Sequence, residues 1–287
     1  MNNGQILYLY DAKLTNPNGD PDEENRPRMD GIQEKNLVTD LRLKRYVRDF
    51  ALDQGHEIYV QKVENKHVTS EERIKGMTPD EAVKNFMDIR LFGATVTKKG
   101  DNRSYIGPVQ FNWGYSLNRV ELVESSITSH FSSKSGNKQG SIGKDYRVKY
   151  SFIAFSGTIS GNRGKEVNLC QEDIEFLDKS MVKAIPLLST RSKIGQYPRL
   201  YLRLTFIDNE TMLKDLRTLI KLKKEEDIFD INEVKLDVKE LVDYLLGKKE
   251  LIKKIYIFQD ESLNTIYEND EKSLVELLSE FNINILN

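Results

Sequence analysis

The sequence predicts an α+β fold, and three observations carry that prediction. Apolar runs with strand-like composition alternate with amphipathic stretches at helical spacing, but in mixed order rather than as a regular βα repeat. Two long apolar runs, 105–123 and 147–160, flank a Ser-, Gly- and Lys-rich segment, as two long strands joined by a basic loop would. The chain has no tandem repeat and no long low-complexity tract, and its 287 residues are enough for one large domain with insertions or two small ones.

The elements follow in order. Residues 5–14 read as a first strand, and 15–35 as a loop dense in Asn, Pro, Asp and Gly. Residues 36–52 read as a helix with Asn36 as N-cap; its Leu43, Val47 and Phe50 fall on one face. A strand is expected over 56–63, and a helix from Thr78 to about Leu91. After the two long strands come an amphipathic helix over 171–188 and a strand over 197–207. The remainder reads as helices near 211–223 and 236–247, a strand at 253–259 and a last helix near 271–281.

Composition excludes several classes. A single cysteine, Cys170, rules out an internal disulfide. No run of about 18 apolar residues predicts a membrane span, and MNNGQILYLYDAKL lacks the basic and long apolar regions of a signal peptide. A cytoplasmic protein is expected. The net charge of −2 hides an asymmetry: residues 204–287 hold 12 Lys/Arg against 19 Asp/Glu, a net of −7, which leaves +5 for residues 1–203. Local fields decide whether phosphates are attracted.

Four constellations could carry chemistry. The first is NPNGDPDEENRPRMD (16–30), in which Asn16, Asn18, Gly19 and Arg28 sit on a backbone fixed by prolines and Asx side chains. A calcium loop is the competing reading, but counting from Asn18 puts Glu23 at the glycine position and Met29 at the bidentate glutamate. The second is the helix bearing Arg42, Lys44, Arg45 and Arg48. The third is the loop 125–145, where His130 and Phe131 lie beside Lys134, Lys138 and Lys144, cations and an aromatic suited to a single strand. The fourth is Thr190 to Arg199, where Arg191, Ser192 and Lys193 offer phosphate-binding groups. Catalytic templates are absent: no P-loop, no His-Glu-x-x-His, no Cys/His metal spacing and no Gly-x-Ser-x-Gly elbow occur. Cys170 precedes a helix start but has no recognisable partner and reads as buried and inert.

In this order NPNGDPDEENRPRMD, LVTDLRLKRYVRD (37–49), DIRLFGA (88–94), IGPVQFNWGYSLN (106–118), DYRVKYSFIAFSG (145–157) and TRSKIGQYPRL (190–200) resemble the Cascade backbone subunits of type I CRISPR systems, the seventh family of Cas proteins, in a type I-B-like variety. The resemblance spans about residues 5–207. It implies a modified RRM-like (ferredoxin-like) palm with inserted fingers, here about 62–104, and a thumb hairpin, here about 124–146; the acidic part 208–287 would complete the fold. It implies copies stacked head to tail along a crRNA guide, pairing of the guide with a target DNA strand, and contacts with other Cascade subunits. It implies no catalysis, no cofactor, no metal and no membrane contact.

On that resemblance Arg42, Lys44, Arg45 and Arg48 line the palm, with Arg191, Ser192 and Lys193 adding phosphate contacts. Gly107 and Pro108, with Gln110, would let the backbone approach the RNA closely. The usual RNP1 pattern is missing, so base stacking on the sheet is not expected, and Phe92, Phe111 and Trp113 read as core or subunit-contact residues. The alternative is a metal-dependent endoribonuclease of the type III backbone kind, using Asp20, Asp22 or Asp30.

Overall fold

The structure is a computed structural model and describes residues 1–128 and 142–287. The Gly4–Thr15 strand lies at the centre of a ten-stranded sheet. It pairs antiparallel with Ile142–Ile159 on one side, from Gly4↔Ile159 to Thr15↔Val148, and with Gln196–Phe206 on the other, from Gly4↔Thr205 to Ala12↔Gln196. The short strands Val109–Phe111 and Gly114–Ser116 pair antiparallel with the far side of Ile142–Ile159. With the helices Asp40–Asp53 and Gln171–Leu187 between them, these strands follow the order fourth, first, third, second, that of a split βαβ pair. Ile252–Gln259 and Ile283–Ile285 extend one edge, and Lys35–Val38 and Met29–Asp30 the other.

Alternation in the first strand explains its unbroken apolar run. Ile6, Tyr8, Tyr10 and Ala12 face the two helices and pack with Leu43, Val47, Phe50, Leu177 and Met181. Leu7 and Leu9 face the other way and pack with Phe152, Leu202 and Leu204 beneath Leu216, Leu236, Leu241 and Leu245. A strand buried on both faces needs apolar residues at every position. The acidic C-terminal part therefore covers the second face of the sheet, including Tyr150 and Phe152, both fully buried.

Asp88 anchors the segment between the first helix and the second strand. It accepts from Arg48 Nε (3.0 Å) and from the backbone N–H of Tyr59 (2.7 Å) and Val60 (3.0 Å). Arg90 forks onto Asp173 of the second helix at 2.8 and 2.7 Å, a geometry suited to a planar guanidinium. The DIRLFGA string is thus a fastening between an insertion and both palm helices.

Several expected elements differ. The first helix starts at Asp40 with Thr39 as N-cap, and Asn36 lies fully buried in a strand. Asn36 donates to the Arg28 carbonyl (2.8 Å) and to Ser116 Oγ (2.9 Å), and these bonds outcompete a capping role. Residues 56–63 form no strand; they lie along the insertion with their N–H groups on Asp88. The helix after Thr78 has its capping box with Glu81 but breaks at Phe86, which is extended and buried, into Pro79–Asn85 and Met87–Phe92. Residues 105–123 divide into short strands, because Gly107 and Pro108 turn the chain. Residues 211–223 hold no α-helix but a 3-10 turn, Leu216–Leu219, and a two-residue strand, Lys221–Leu222, and the last helix shrinks to Leu274–Leu277. Among the described residues no helix is long and apolar enough to cross a membrane.

Candidate nucleic-acid interface

Three segments far apart in sequence meet at the C-terminal end of the central strand. The Asn16 N–H and the Thr15 hydroxyl both donate to the Ser192 carbonyl, at 2.9 and 2.5 Å. Lys193 Nζ donates back to the carbonyls of Asn16 and of Pro17, the latter at 3.3 Å. From the base of the long arm, Arg147 donates to the Leu14 carbonyl (2.8 Å), and Asp145 pairs with Arg147 (2.9 Å) and Arg191 (3.3 Å). Gly195 lets the turn come this close: its φ is +98° and a Cβ there would stand 2.6 Å from the Lys13 carbonyl oxygen.

The first loop is ordered by its own side chains. Asn18 Oδ1 accepts from the N–H and the hydroxyl of Thr39 (2.8 and 2.9 Å), which ties the loop to the start of the first helix. Asn16 Nδ2 donates to the Asn25 carbonyl at 2.7 Å. Gly19 packs where any Cβ would meet Asn25 Oδ1 at 1.9 Å. Asp20 pairs with Arg28 at 2.5 Å and also caps the turn Pro21–Glu23. Asp30 accepts from the N–H of Ile32 (2.9 Å) and of Gln33 (3.1 Å). The aspartates Asp20 and Asp30 thus serve the loop's backbone and Arg28. Among the described residues no group of three or more His, Cys, Asp or Glu could hold a metal ion.

The cations divide into committed and uncommitted. Lys44 and Arg48 do not line an open palm. Lys44 is buried on Asp40 (2.9 Å) and Gln110 (3.0 Å), and Arg48 is buried on Asp88. Helical spacing put both near the insertion, which sequence reading could not see. Arg45 is held by Asp49 and the Val60 carbonyl. Arg42 and Lys193 are different: neither has a carboxylate partner among the described residues. The Arg42 guanidinium lies 4.0 Å over the Tyr46 ring, and its Nε is buried with no hydrogen-bond partner. Burial, reinforced by the Arg42 charge, pushes Lys193 down to about 7. Asn16 Oδ1 is also buried and unpaired. Two half-buried cations side by side, with no carboxylate partner among the described residues, are chemically suited to a phosphate-like group.

Other expectations change. Gly107 does approach a backbone, but it is the protein's own: a Cβ would stand 2.0 Å from the Phe92 carbonyl carbon. Pro108 is buried, and its carbonyl accepts from the Ser160 N–H at 3.0 Å. Gln110 bridges Lys44 and the Gly107 carbonyl (2.9 Å). These three position the second strand and the helix rather than face an open surface. Phe92 and Phe111 are core residues, whereas Trp113 is 46 % exposed. Cys170 is half-buried, and burial raises its thiol. His130, Phe131, Lys134 and Lys138 lie outside the described residues. Arg191 is exposed, and among the described residues its guanidinium reaches only Asp145.

Sequence reading missed a cation–aromatic cluster at the root of the arm. Arg26 lies 4.5 Å over the Tyr146 ring, and Tyr146 donates to Glu24 at 2.8 Å. A cavity of about 220 Å³ opens there, lined by Asn16, Asn25, Lys144, Tyr146, Thr190 and Arg191 among others. No local pattern joins Arg26 to Tyr146; only tertiary pairing does.

The comparisons agree with this architecture. Residues 2–246 match the family CRISPR-associated protein Cas7. A CRISPR-associated protein Cas7 of Haloferax volcanii is 33 % identical over 300 residues, covering 92 % of this chain and 88 % of the relative. Among solved structures, a chain named CRISPR RNA-guided surveillance complex, pre-nicking, superposes with a TM-score of 0.55 at 12 % identity, over 97 % of this chain and 98 % of its own. A chain named CRISPR RNA-guided surveillance complex superposes with a TM-score of 0.53 at 13 % identity, over 97 % of each. At that identity the two superpositions speak for the fold, while the sequence match reaches the strings that build the first loop, the helix beside it and the 190–195 turn: the chain belongs to the Cas7 family of CRISPR-associated proteins.

Proposed function

We propose that this chain is a guide-RNA-binding backbone subunit of a CRISPR surveillance complex, with copies arranged head to tail along the crRNA. The observation that carries this reading is the Arg42–Lys193 pair, two cations without a carboxylate partner at the meeting of the first loop, the first helix and the 190–195 turn. A phosphodiester supplies the missing charge. Asn16, Asn18 and Gly19 shape the loop beside the seat, Arg191 and Ser192 continue it, and Arg28 braces it from behind through Asp20. On this reading Lys44, Arg45, Arg48, Gly107, Pro108 and Gln110 support the surface from within.

Residues about 62–104 act as fingers and about 124–146 as a thumb that crosses the strand, while the acidic part from 208 keeps the second face of the sheet closed. Shape and charge come from the protein, and sequence comes from pairing of the guide with target DNA. The subunit works in the cytoplasm with other Cascade subunits and without catalysis or cofactor.

Co-purification tests the proposal. Guide-length RNA is expected to accompany the protein in particles holding several copies. Recovery of an RNA-free monomer from cells that also express a guide would overturn it.

A further inference from the structure

Two features at opposite ends of the central strand remain without a role. The first is the tip of the first loop. Residues Pro21 through Arg26 are all exposed, and the turn is closed by hydrogen bonds. Asp22 N–H donates to Asp20 Oδ1 (3.1 Å), Asn25 N–H donates to the Asp20 carbonyl (2.7 Å), and Glu24 and Asn25 take φ of +51° and +62°. Asp22 and Glu23 project from this knob with no cationic partner among the described residues.

The second is a cavity of about 300 Å³ beside Gly4, Ile159 and Thr205, lined also by Gln171, Lys253, Lys254 and Tyr256. No carboxylate lines it. Lys253 and Lys254 form no ion pair among the described residues, and Lys254 Nζ lies 4.7 Å over the Tyr256 ring. Arg203 in its wall is already neutralised by Asp178 at 2.6 Å. The twelve-residue strand between cavity and knob sets them roughly 36 Å apart.

We infer that the Asp22–Glu23 knob of one copy docks into the Lys253–Lys254 cavity of the next, forming a head-to-tail contact between copies of this chain. An acidic projection at one end and a cationic hollow at the other give a heterologous interface, which propagates rather than closes. Charge complementarity fixes which face meets which and suppresses head-to-head encounters. This rests on the backbone-subunit reading above.

The test is a charge swap in the full chain with a long single-stranded oligouridylate as the probe. The cavity variant carries Lys253→Glu and Lys254→Glu, and the knob variant carries Asp22→Lys and Glu23→Lys. Thermal melting first establishes that each folds. Each variant alone should assemble into arrays on the probe at least about tenfold more weakly than the parent, because like charges now face each other. Affinity of the cavity variant for an oligomer that holds one copy should stay within about twofold, because its substitutions lie at the far end of the central strand from the Arg42–Lys193 seat; the knob variant, whose loop borders that seat, is compared with the parent at equal occupancy of the one-copy oligomer. Mixing the two variants should restore arrays. Parent-like assembly by either single variant overturns the contact, as does failure of the mixture to recover. If the cavity variant instead loses affinity for the one-copy oligomer, the cavity is a nucleic-acid site and the contact is again overturned. A parent protein that never forms arrays would strike the backbone reading itself.

Discussion

Lys193 Nζ donates to the backbone carbonyl of Asn16, so the turn after the second helix and the loop after the first strand are joined by an ammonium group with no carboxylate beside it. Arg42 is the charge that bears on it. That arrangement is the source of the first prediction.

Folded Lys193 sits near 7, and an unfolded lysine keeps its ordinary value of 10.5. Between about pH 7 and about pH 10.5 the unfolded chain binds the extra proton, so stability rises with pH across that window; below about pH 7 both states are charged and the burial cost is fully present. A phosphate at the seat favours the charged form, so RNA binding takes up a proton and affinity should fall as pH rises above about 7. Lys193→Met should flatten both dependences. Thermal melts and RNA titrations over the same pH series check this; a slope that survives the substitution would place the proton elsewhere.

Arg42 and Arg48 occupy the same helix but should fail differently. Arg42→Ala should leave the fold nearly intact and reduce the salt slope of RNA binding by about 0.7, equally for unrelated sequences. Arg48→Ala leaves the buried Asp88 carboxylate without its guanidinium and should cost about 3–5 kcal/mol of stability. Denaturant unfolding and salt-dependent titration of both variants separate the two roles.

Gly107→Ala should be a folding mutation, not a binding mutation. Its Cβ would overlap the Phe92 backbone, and backbone does not yield cheaply, so at least about 1–3 kcal/mol should be lost. The residual folded fraction should bind RNA with unchanged affinity, as a melt followed by titration of the folded fraction would report.

Asp20→Asn probes the catalytic alternative. Asp20 is engaged by Arg28 and by the Asp22 N–H, so the substitution should loosen the loop and weaken RNA binding. The parent should show no magnesium-dependent cut in RNA paired to a guide. A cut that Asp20→Asn abolishes would favour the endoribonuclease reading.

How much the sequence showed depended on whether a residue's partners were local. The central strand, the Gln171–Leu187 helix and the helix start at Thr78 were legible because periodicity and helix-start residues are short-range signals. The first loop and the 190–195 turn were singled out separately, and their contact through Lys193 is tertiary. The same limit misjudged Lys44 and Arg48. A cationic helix flank looks the same in sequence whether water or a buried carboxylate faces it, and Asp88 lies 40 positions from Arg48. Asn36 failed for a related reason: an Asx residue before an amphipathic run reads as a cap unless a sheet claims it first. Gly107 was read as a site of close approach to RNA; the structure shows it packed against the Phe92 backbone, a partner that sequence does not reveal.

The innermost strand has a consequence for how the chain is made. Gly4–Thr15 is synthesised before both of its partners, residues 148–159 on one side and 196–205 on the other. Roughly 200 residues must be made before it is enclosed, and the apolar face of Leu7 and Leu9 then waits for the segment beyond 208. Pairings this distant in sequence carry a large loop-closure cost before any contact rewards them, and domains of this kind fold slowly. During that interval an apolar strand stands without neighbours, which is the condition under which nascent chains misassociate. Expression yield should therefore depend on chaperone supply and growth temperature more than on the stability of the finished subunit.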